Sequence, residues 1–410
     1  MSDLLPSLLL LAPPPFPINA ASLAAAFRPS IVAAVSVLKD LPTSTQLMIG
    51  LPCPAVHSRL QEPRSQIYSE LQQSLAGLYS LVCIVCANMG VDVESDTPGS
   101  IDARILLLDY DGSQHRSEEG ELGPNNLMAG PIVDLATLAL SRRQWNIIFT
   151  VDGEAGQRIF TTYSRLANRQ PTHFHGHVLT ISGGVSLIQS EESIPREPTS
   201  NGSAHNVVAV GGTFDHLHAG HKLLLTATAL LLQPASISTS ARRRLIVGIT
   251  GDELLKNKKY AEYLGSWTRR QEDVVGFLLS ILQFTREGHE PPIERLTFDK
   301  PISNGRAVHT RLTDCAIVIE CVEIQDPFGP TITDESVTAL VVSEETRLGG
   351  KAVNEKRAEK GWKPLEVFEV DVLNAEETEE AASQPGNFAS KISSTAIRKR
   401  KAERARHSSL

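Results

Sequence analysis

Two histidines three residues apart, His218 and His221, stand at the mouth of an apolar helix in the stretch VVAVGGTFDHLHAGHKLLL, Val207 to Leu225. A short β-branched strand precedes them and ends in Gly211 and Gly212. Lacking a Cβ, these glycines let the backbone come close to a bulky polyphosphate. A helix beginning near Ala219 turns its free N–H groups and positive dipole end toward the same place and favours negative charge there. At a spacing of three, the two imidazoles project from one face of that first turn. Such a pair can donate to a phosphate with no metal to hold it. Neither a glycine pair nor an HxxH is specific alone; the order strand, glycines, histidines, helix is what a phosphate site requires.

The elements that must position these residues form a second α/β pattern in the chain. Strands are expected at Val207 to Val210, Leu245 to Ile249, Arg295 to Phe298, Cys315 to Ile319, Ala339 to Val342 and Leu365 to Val370. Helices are expected at Ala219 to Leu232, Thr268 to Phe284 and Gly349 to Lys360. Strands joined by helix-length connections argue for a doubly wound parallel sheet, whose ligand crevice lies beyond the carboxyl ends of the strands. Residues 1–188 alternate apolar runs such as SIVAAVSVL and WNIIFTV with amphipathic stretches such as Ile67 to Leu81, and read as an α/β domain of their own. Residues 189–206, rich in Ser, Glu, Pro and Asn, read as a linker, and residues 207–410 as the domain that carries the site. QPASISTSARRR reads as a low-complexity insertion, LNAEETEEAASQPGNF as an acidic loop, and the basic RKRKAERARHSSL as the solvated end of a helix, with a nuclear signal or anion-binding tail as its alternative.

Composition narrows the classes. A chain of 410 residues with 41% hydrophobic content has room for two domains, and its net charge of −8 argues against a general nucleic-acid binder. Five cysteines do not suggest a disulfide framework, so a reducing compartment, the cytoplasm with nuclear presence open, is expected. Cys83 and Cys86 have the spacing of a redox pair or half a zinc site, but their neighbours are apolar and no second pair follows. The apolar N-terminal run carries Asp3 and ends in prolines, unlike a secretory signal. No stretch reads as the roughly 20 apolar residues that span a bilayer, so no membrane partner is expected.

GGTFDHLHAGH resembles the signature of the HxGH nucleotidyltransferases, and KISSTAIRKR, Lys391 to Arg400, resembles their second, ISSTxxR element. Between them, IQDPFGP and VSEETRLGGKAVNEKR are similar to eukaryotic, fungal-type phosphopantetheine adenylyltransferases. The resemblance covers roughly Val207 to Arg400 and leaves the N-terminal half aside. It implies a Rossmann-like fold and direct transfer of adenylate from ATP to 4′-phosphopantetheine, giving dephospho-coenzyme A and pyrophosphate in coenzyme A biosynthesis. No covalent enzyme intermediate is implied, so positioning and charge stabilisation carry the chemistry.

Carried over residue by residue, the resemblance gives His218 and His221 to the ATP phosphates, with His221 stabilising the transition state. Gly220 keeps the space between them open, Thr213 and the amide of Phe214 lie where the two substrates' phosphates meet, and Asp215 fixes the loop. Lys256 and Lys258 match the family's lysine loop, in which an ammonium between two phosphate-bearing substrates offsets their repulsion; which lysine acts is open. Ser393, Ser394 and Thr395 offer hydroxyls and, at a helix start, backbone N–H groups to the β- and γ-phosphates, with an ordinary helix cap as the alternative. Arg398, one turn on, can fork two phosphate oxygens. Whether Arg347 or Arg357 reaches nucleotide is open, as is a structural role for Asn354 and Arg357. Mg²⁺ is expected to arrive with ATP, without a named protein ligand. His173, His175 and His177 would share one strand face but have no acidic or cysteine partner nearby.

Three readings compete: another HxGH enzyme acting on nicotinate or nicotinamide mononucleotide, a non-catalytic nucleotide-binding scaffold of the pathway, and the adenylyltransferase itself. Some relatives fuse a dephospho-coenzyme A kinase to the chain; no GxxxxGK[ST] occurs, so that activity is not expected. The N-terminal half is expected to regulate or to dock other enzymes of the pathway.

Overall fold

The computed structural model describes residues 5–57, 59–60, 62–93, 98–112, 129–141, 143–168, 176–185, 202–234, 242–285, 293–302, 305–371, 373 and 393–407. The chain divides into two compact units. The first takes residues 1–62, 73–201 and 281–291; the second takes 63–72, 202–280 and 292–410. Of the expected linker, residues 189–201 lie outside the described ones, as do most of the low-complexity insertion and the acidic loop, and His173 and His175. His177 is exposed on its strand.

The first unit is built on six parallel strands: β1 (Ser7–Leu10), β2 (Thr45–Pro52), β3 (Ile101–Asp109), β4 (Ile132–Asp134), β5 (Ile147–Val151) and β6 (His177–Ile181), in the order β4-β3-β2-β1-β5-β6. The apolar run near the N-terminus is thus a central strand, buried at all four positions and paired with β2 and β5. SIVAAVSVL lies in α1 (Ala20–Leu38), where a buried stripe from Leu23 to Leu38 overrides its β-branched composition. A helix α2 (Tyr68–Asn88) packs close to it, the Leu23 side chain filling the place of a Cβ on Gly77. Both helices are long and apolar enough to cross a bilayer by length and composition, a feature not anticipated from the sequence. α3 (Leu135–Leu140) and α4 (Glu154–Ala167) cover the sheet face that carries Leu8, Leu10, Met48, Leu106, Leu108 and Ile148. Gly156 is required there, because a Cβ would run into the Val151 carbonyl.

The second unit holds β7 (Val207–Gly212), α5 (Ala219–Leu230), β8 (Arg243–Thr250), α6 (Trp267–Leu282), β9 (Ile293–Ile302), β10 (Gly305–Leu312), β11 (Ile317–Ile324), β12 (Ala339–Ser343), α7 (Arg347–Glu359), β13 (Glu366–Val370) and α8 (Ser394–His407). The seven strands run in the order β13-β12-β7-β8-β11-β10-β9. β13, β12, β7, β8 and β11 are joined by parallel pairing, while β10 pairs antiparallel with both β11 and β9, so the sheet ends in a hairpin that the sequence reading did not contain. The chain leaves β7 for β8 on one side and returns to β12 on the other. The order therefore reverses at β7, and the crevice beyond its carboxyl end is the switch point of a Rossmann-like sheet.

Candidate active site

β7 runs into that crevice through Gly211 and Gly212. The loop that follows is bent through two left-handed residues, Phe214 (φ 50°) and His216 (φ 48°), conformations that cost about 1 kcal/mol or more and persist only when surroundings enforce them. Phe214 is fully buried, and a Cβ on Gly212 would lie 3.1 Å from its ring. A Cβ on Gly211 would meet nothing within 4 Å, so this exposed glycine turns bare backbone toward open space.

His218 caps α5 with extended backbone (φ −83°, ψ 172°) but no capping side-chain bond. Its ring stacks on that of His221, centroids 3.9 Å apart and planes at 25°, with Phe214 5.4 Å from the His221 ring. Gly220 makes room for this, since a Cβ there would stand 3.2 Å from the His218 ring. The Nδ1 atoms of both histidines are buried without a partner. Burial, then His221, Lys222 and His216, hold His218 well below the usual histidine range. Burial brings His221 down to about 4, against the pull of the Asp215 carboxylate and a backbone bond with His216. At neutral pH the free site therefore holds two uncharged imidazoles with orphaned nitrogens, a state that an incoming anion can relieve.

Asp215, 0% exposed, is the hub of the loop. Its Oδ1 accepts from the Gly265 amide at 3.1 Å and its Oδ2 from Arg398 Nη1 at 2.5 Å, while Ser394 Oγ donates to its carbonyl at 2.8 Å. Arg398 also gives Nε to the Lys259 carbonyl at 3.0 Å and Nη2 to Thr395 Oγ1 at 3.2 Å, with its side chain 3% exposed. The guanidinium expected on phosphate thus donates here to Asp215, Thr395 and the Lys259 carbonyl. Ser393 Oγ accepts from the Ala396 amide as the helix cap. Ser393, Ser394 and Thr395 gather at the start of α8, beside Asp215.

After β8, residues 251–265 carry two short 3-10 turns, Asp252–Leu255 and Ala261–Tyr263. Lys256 pairs with Glu253 at 2.5 Å, and Lys258 is exposed. Arg270, 1% exposed, was missed in the sequence. It donates to the carbonyls of Thr213 (2.7 Å), Thr250 (2.8 Å) and Gly265 (2.9 Å) and to Asp252 Oδ1 (2.6 Å), clamping the glycine loop to the lysine loop. The signal was present: Trp267, Arg270, Gln271 and Val274 form one buried helical stripe, and an arginine on such a stripe must have partners. Arg357 is structural, its guanidinium donating to the carbonyls of Thr331, Asp334, Glu335, Val337 and Lys363. Asn354 brackets the Leu365 backbone, and Arg347 pairs with Glu369.

A family model described as a domain of unknown function, DUF8446, matches residues 1–187. An uncharacterised protein of Schizosaccharomyces pombe is 36% identical over 225 residues, 54% of this chain and 57% of that protein. A phosphopantetheine adenylyltransferase of Saccharomyces cerevisiae is 32% identical over 203 residues, 50% of this chain and 51% of that protein. The chain thus spans about half the length of these two relatives. A phosphopantetheine adenylyltransferase of Thermococcus gammatolerans is 31% identical over 191 residues, 47% of this chain and 86% of that protein. With most of such a relative matched at that identity, the chain belongs to the phosphopantetheine adenylyltransferase family.

Proposed function

We propose that the second unit transfers adenylate from ATP to 4′-phosphopantetheine, forming dephospho-coenzyme A and releasing pyrophosphate. The observation that carries this reading is the stacked pair His218 and His221, with both Nδ1 atoms unpartnered, at the helix start beyond the switch-point strand. An oxygen of the acceptor's phosphate attacks the α-phosphorus, and the bond from that phosphorus to the pyrophosphate oxygen breaks. Charge moves onto the non-bridging and leaving oxygens during this step. In this reading the two imidazoles serve as donors to those oxygens, and proton uptake by either one offsets the growing charge. The exposed backbone at Gly211 lets the triphosphate approach, the start of α5 adds its dipole, and Lys256 and Lys258 supply ammonium groups on the adjoining loop.

Mg²⁺ suits this reading as an ion carried by ATP. Asp215 and Asp252 are taken by Arg398 and Arg270, and among the described residues no group of three His, Cys, Asp or Glu is placed to hold a metal. A hard cation would rest on phosphate oxygens and water, neutralising charge on the leaving group.

The test is pyrophosphate release from ATP and Mg²⁺ by the full chain, with 4′-phosphopantetheine, with nicotinate mononucleotide, or with no acceptor. Release that requires phosphopantetheine supports the proposal. Release with the mononucleotide alone transfers the activity to another substrate, and binding of ATP without release under any condition leaves a nucleotide-binding scaffold.

A further inference from the structure

The C-terminal helix presents Ser394, Arg398 and Lys401, at i, i+4 and i+7, along one face. Between them they reach Asp215 and His216 of the phosphate loop and Lys259 of the lysine loop beside it. Ser394 and Arg398 hold Asp215, Arg398 holds the Lys259 carbonyl, and Lys401 Nζ lies 3.3 Å from His216 Nδ1. On its other side His216 Nε2 lies 3.0 Å from the carbonyl of Tyr263.

This geometry fixes a tautomer. A lysine ammonium has only donors, so His216 Nδ1 accepts; a carbonyl has only lone pairs, so His216 Nε2 carries the proton and donates. His216 is therefore a two-ended link, with one ring nitrogen on α8 and the other on the end of the lysine loop. Its left-handed backbone (φ 48°) belongs to the same arrangement, since an unconstrained histidine would relax out of that region.

We propose that His216 is a positioning residue, its tautomer set by Lys401 and the Tyr263 carbonyl together, which ties residues 251–265 to the C-terminal helix and so fixes where Lys256 and Lys258 stand. The inference deepens the adenylyl-transfer reading, because it assigns the helix a part in aligning that loop. The backbone of His216 bonds to His221, but its ring acts through Tyr263.

The full chain labelled with ¹⁵N-histidine tests this without turnover. The unliganded protein should show His216 protonated at Nε2 and bare at Nδ1, and Lys401→Met should shift the Nδ1 resonance, which loses its donor, while Nε2 keeps the proton it gives to Tyr263. Amide exchange in residues 251–265 should then rise about tenfold, as expected when roughly one hydrogen bond is lost, while Glu403→Gln, an exposed position on the same helix, changes neither. A proton on Nδ1 in the wild type, or unchanged exchange in Lys401→Met, overturns the proposal whether or not the chain turns over ATP. With active protein, His216→Asn keeps a residue suited to the left-handed backbone but is too short to reach Tyr263. It should lower kcat about tenfold with the KM for ATP unchanged, and His216→Gln, whose amide extends to the depth of Nε2, should restore most of the loss. Equal losses in the two variants would reduce His216 to a packing role and overturn the proposal.

Discussion

Replacing Arg398 by methionine separates the two roles open to this arginine. The substitution keeps the stem and removes the guanidinium, leaving the Asp215 carboxylate, 0% exposed, with the Gly265 amide at 3.1 Å and without its charged partner at 2.5 Å. Because both side chains are buried, the loss is not reduced by solvent screening, and breaking one half of such a pair costs about 3–5 kcal/mol. Arg398→Lys keeps the charge but gives up the bonds to Lys259 or Thr395, at about 1–3 kcal/mol. A chain of two units does not unfold in one step. Hydrogen exchange of peptides from β7 and β8, followed by mass spectrometry, reads the second unit alone. Those peptides should lose protection by the stated amounts in each variant while peptides from the first unit do not change. ATP should protect wild type and Arg398→Lys to the same degree. A loss below about 1 kcal/mol in Arg398→Met, or disappearance of ATP protection in Arg398→Lys, would refute the reasoning and return the fork to phosphate.

Other expectations follow from the same geometry. His221, down to about 4, binds fewer protons folded than unfolded, so its contribution is complete above pH 6.5 and is lost as pH falls toward 4. That loss is up to about 3 kcal/mol in the second unit, and a pH-independent exchange profile across this window would contradict it. Gly212→Ala should destabilise by about 1–2 kcal/mol through contact with the Phe214 ring. Gly211→Ala should leave stability intact yet raise the KM for ATP about tenfold, and the reverse pattern in stability and kinetics would count against the open approach at Gly211. Arg270→Met, which deletes four bonds, should cost more than about 3 kcal/mol, against at most about 0.5 kcal/mol for its exposed neighbour in Arg269→Ala, with both read by the same exchange measurement.

What was legible in the sequence was local. The glycines, the histidine spacing and the start of α5 lie within one strand-to-helix turn, and the structure assembles them in that order. The strands that flank them are apolar runs buried in a parallel sheet, which the sequence displays directly. Partners distant along the chain were less legible. Arg398 and Asp215 are 183 positions apart, and an arginine beside a phosphate loop looks the same in sequence whether it faces ligand or carboxylate. Arg357 was open for the same reason until its carbonyl partners were seen. β10, GRAVHTRL, places Arg306, His309 and Arg311 among Ala307, Val308, Thr310 and Leu312, so its composition resembles a loop although Ala307 to Leu312 pair with both β9 and β11. Arg270 could have been found, because helical spacing alone puts it on the buried stripe of α6.

The most direct measurement follows the adenylate itself. The full chain, with Mg²⁺, 4′-phosphopantetheine and ATP labelled at the α-phosphorus, should pass the label into a single thiol-bearing product with the mass of dephospho-coenzyme A. The protein should remain unlabelled, and His221→Ala should lose the transfer. Label retained on the protein, released as free AMP, or transferred equally by His221→Ala would contradict direct adenylyl transfer at the histidine pair.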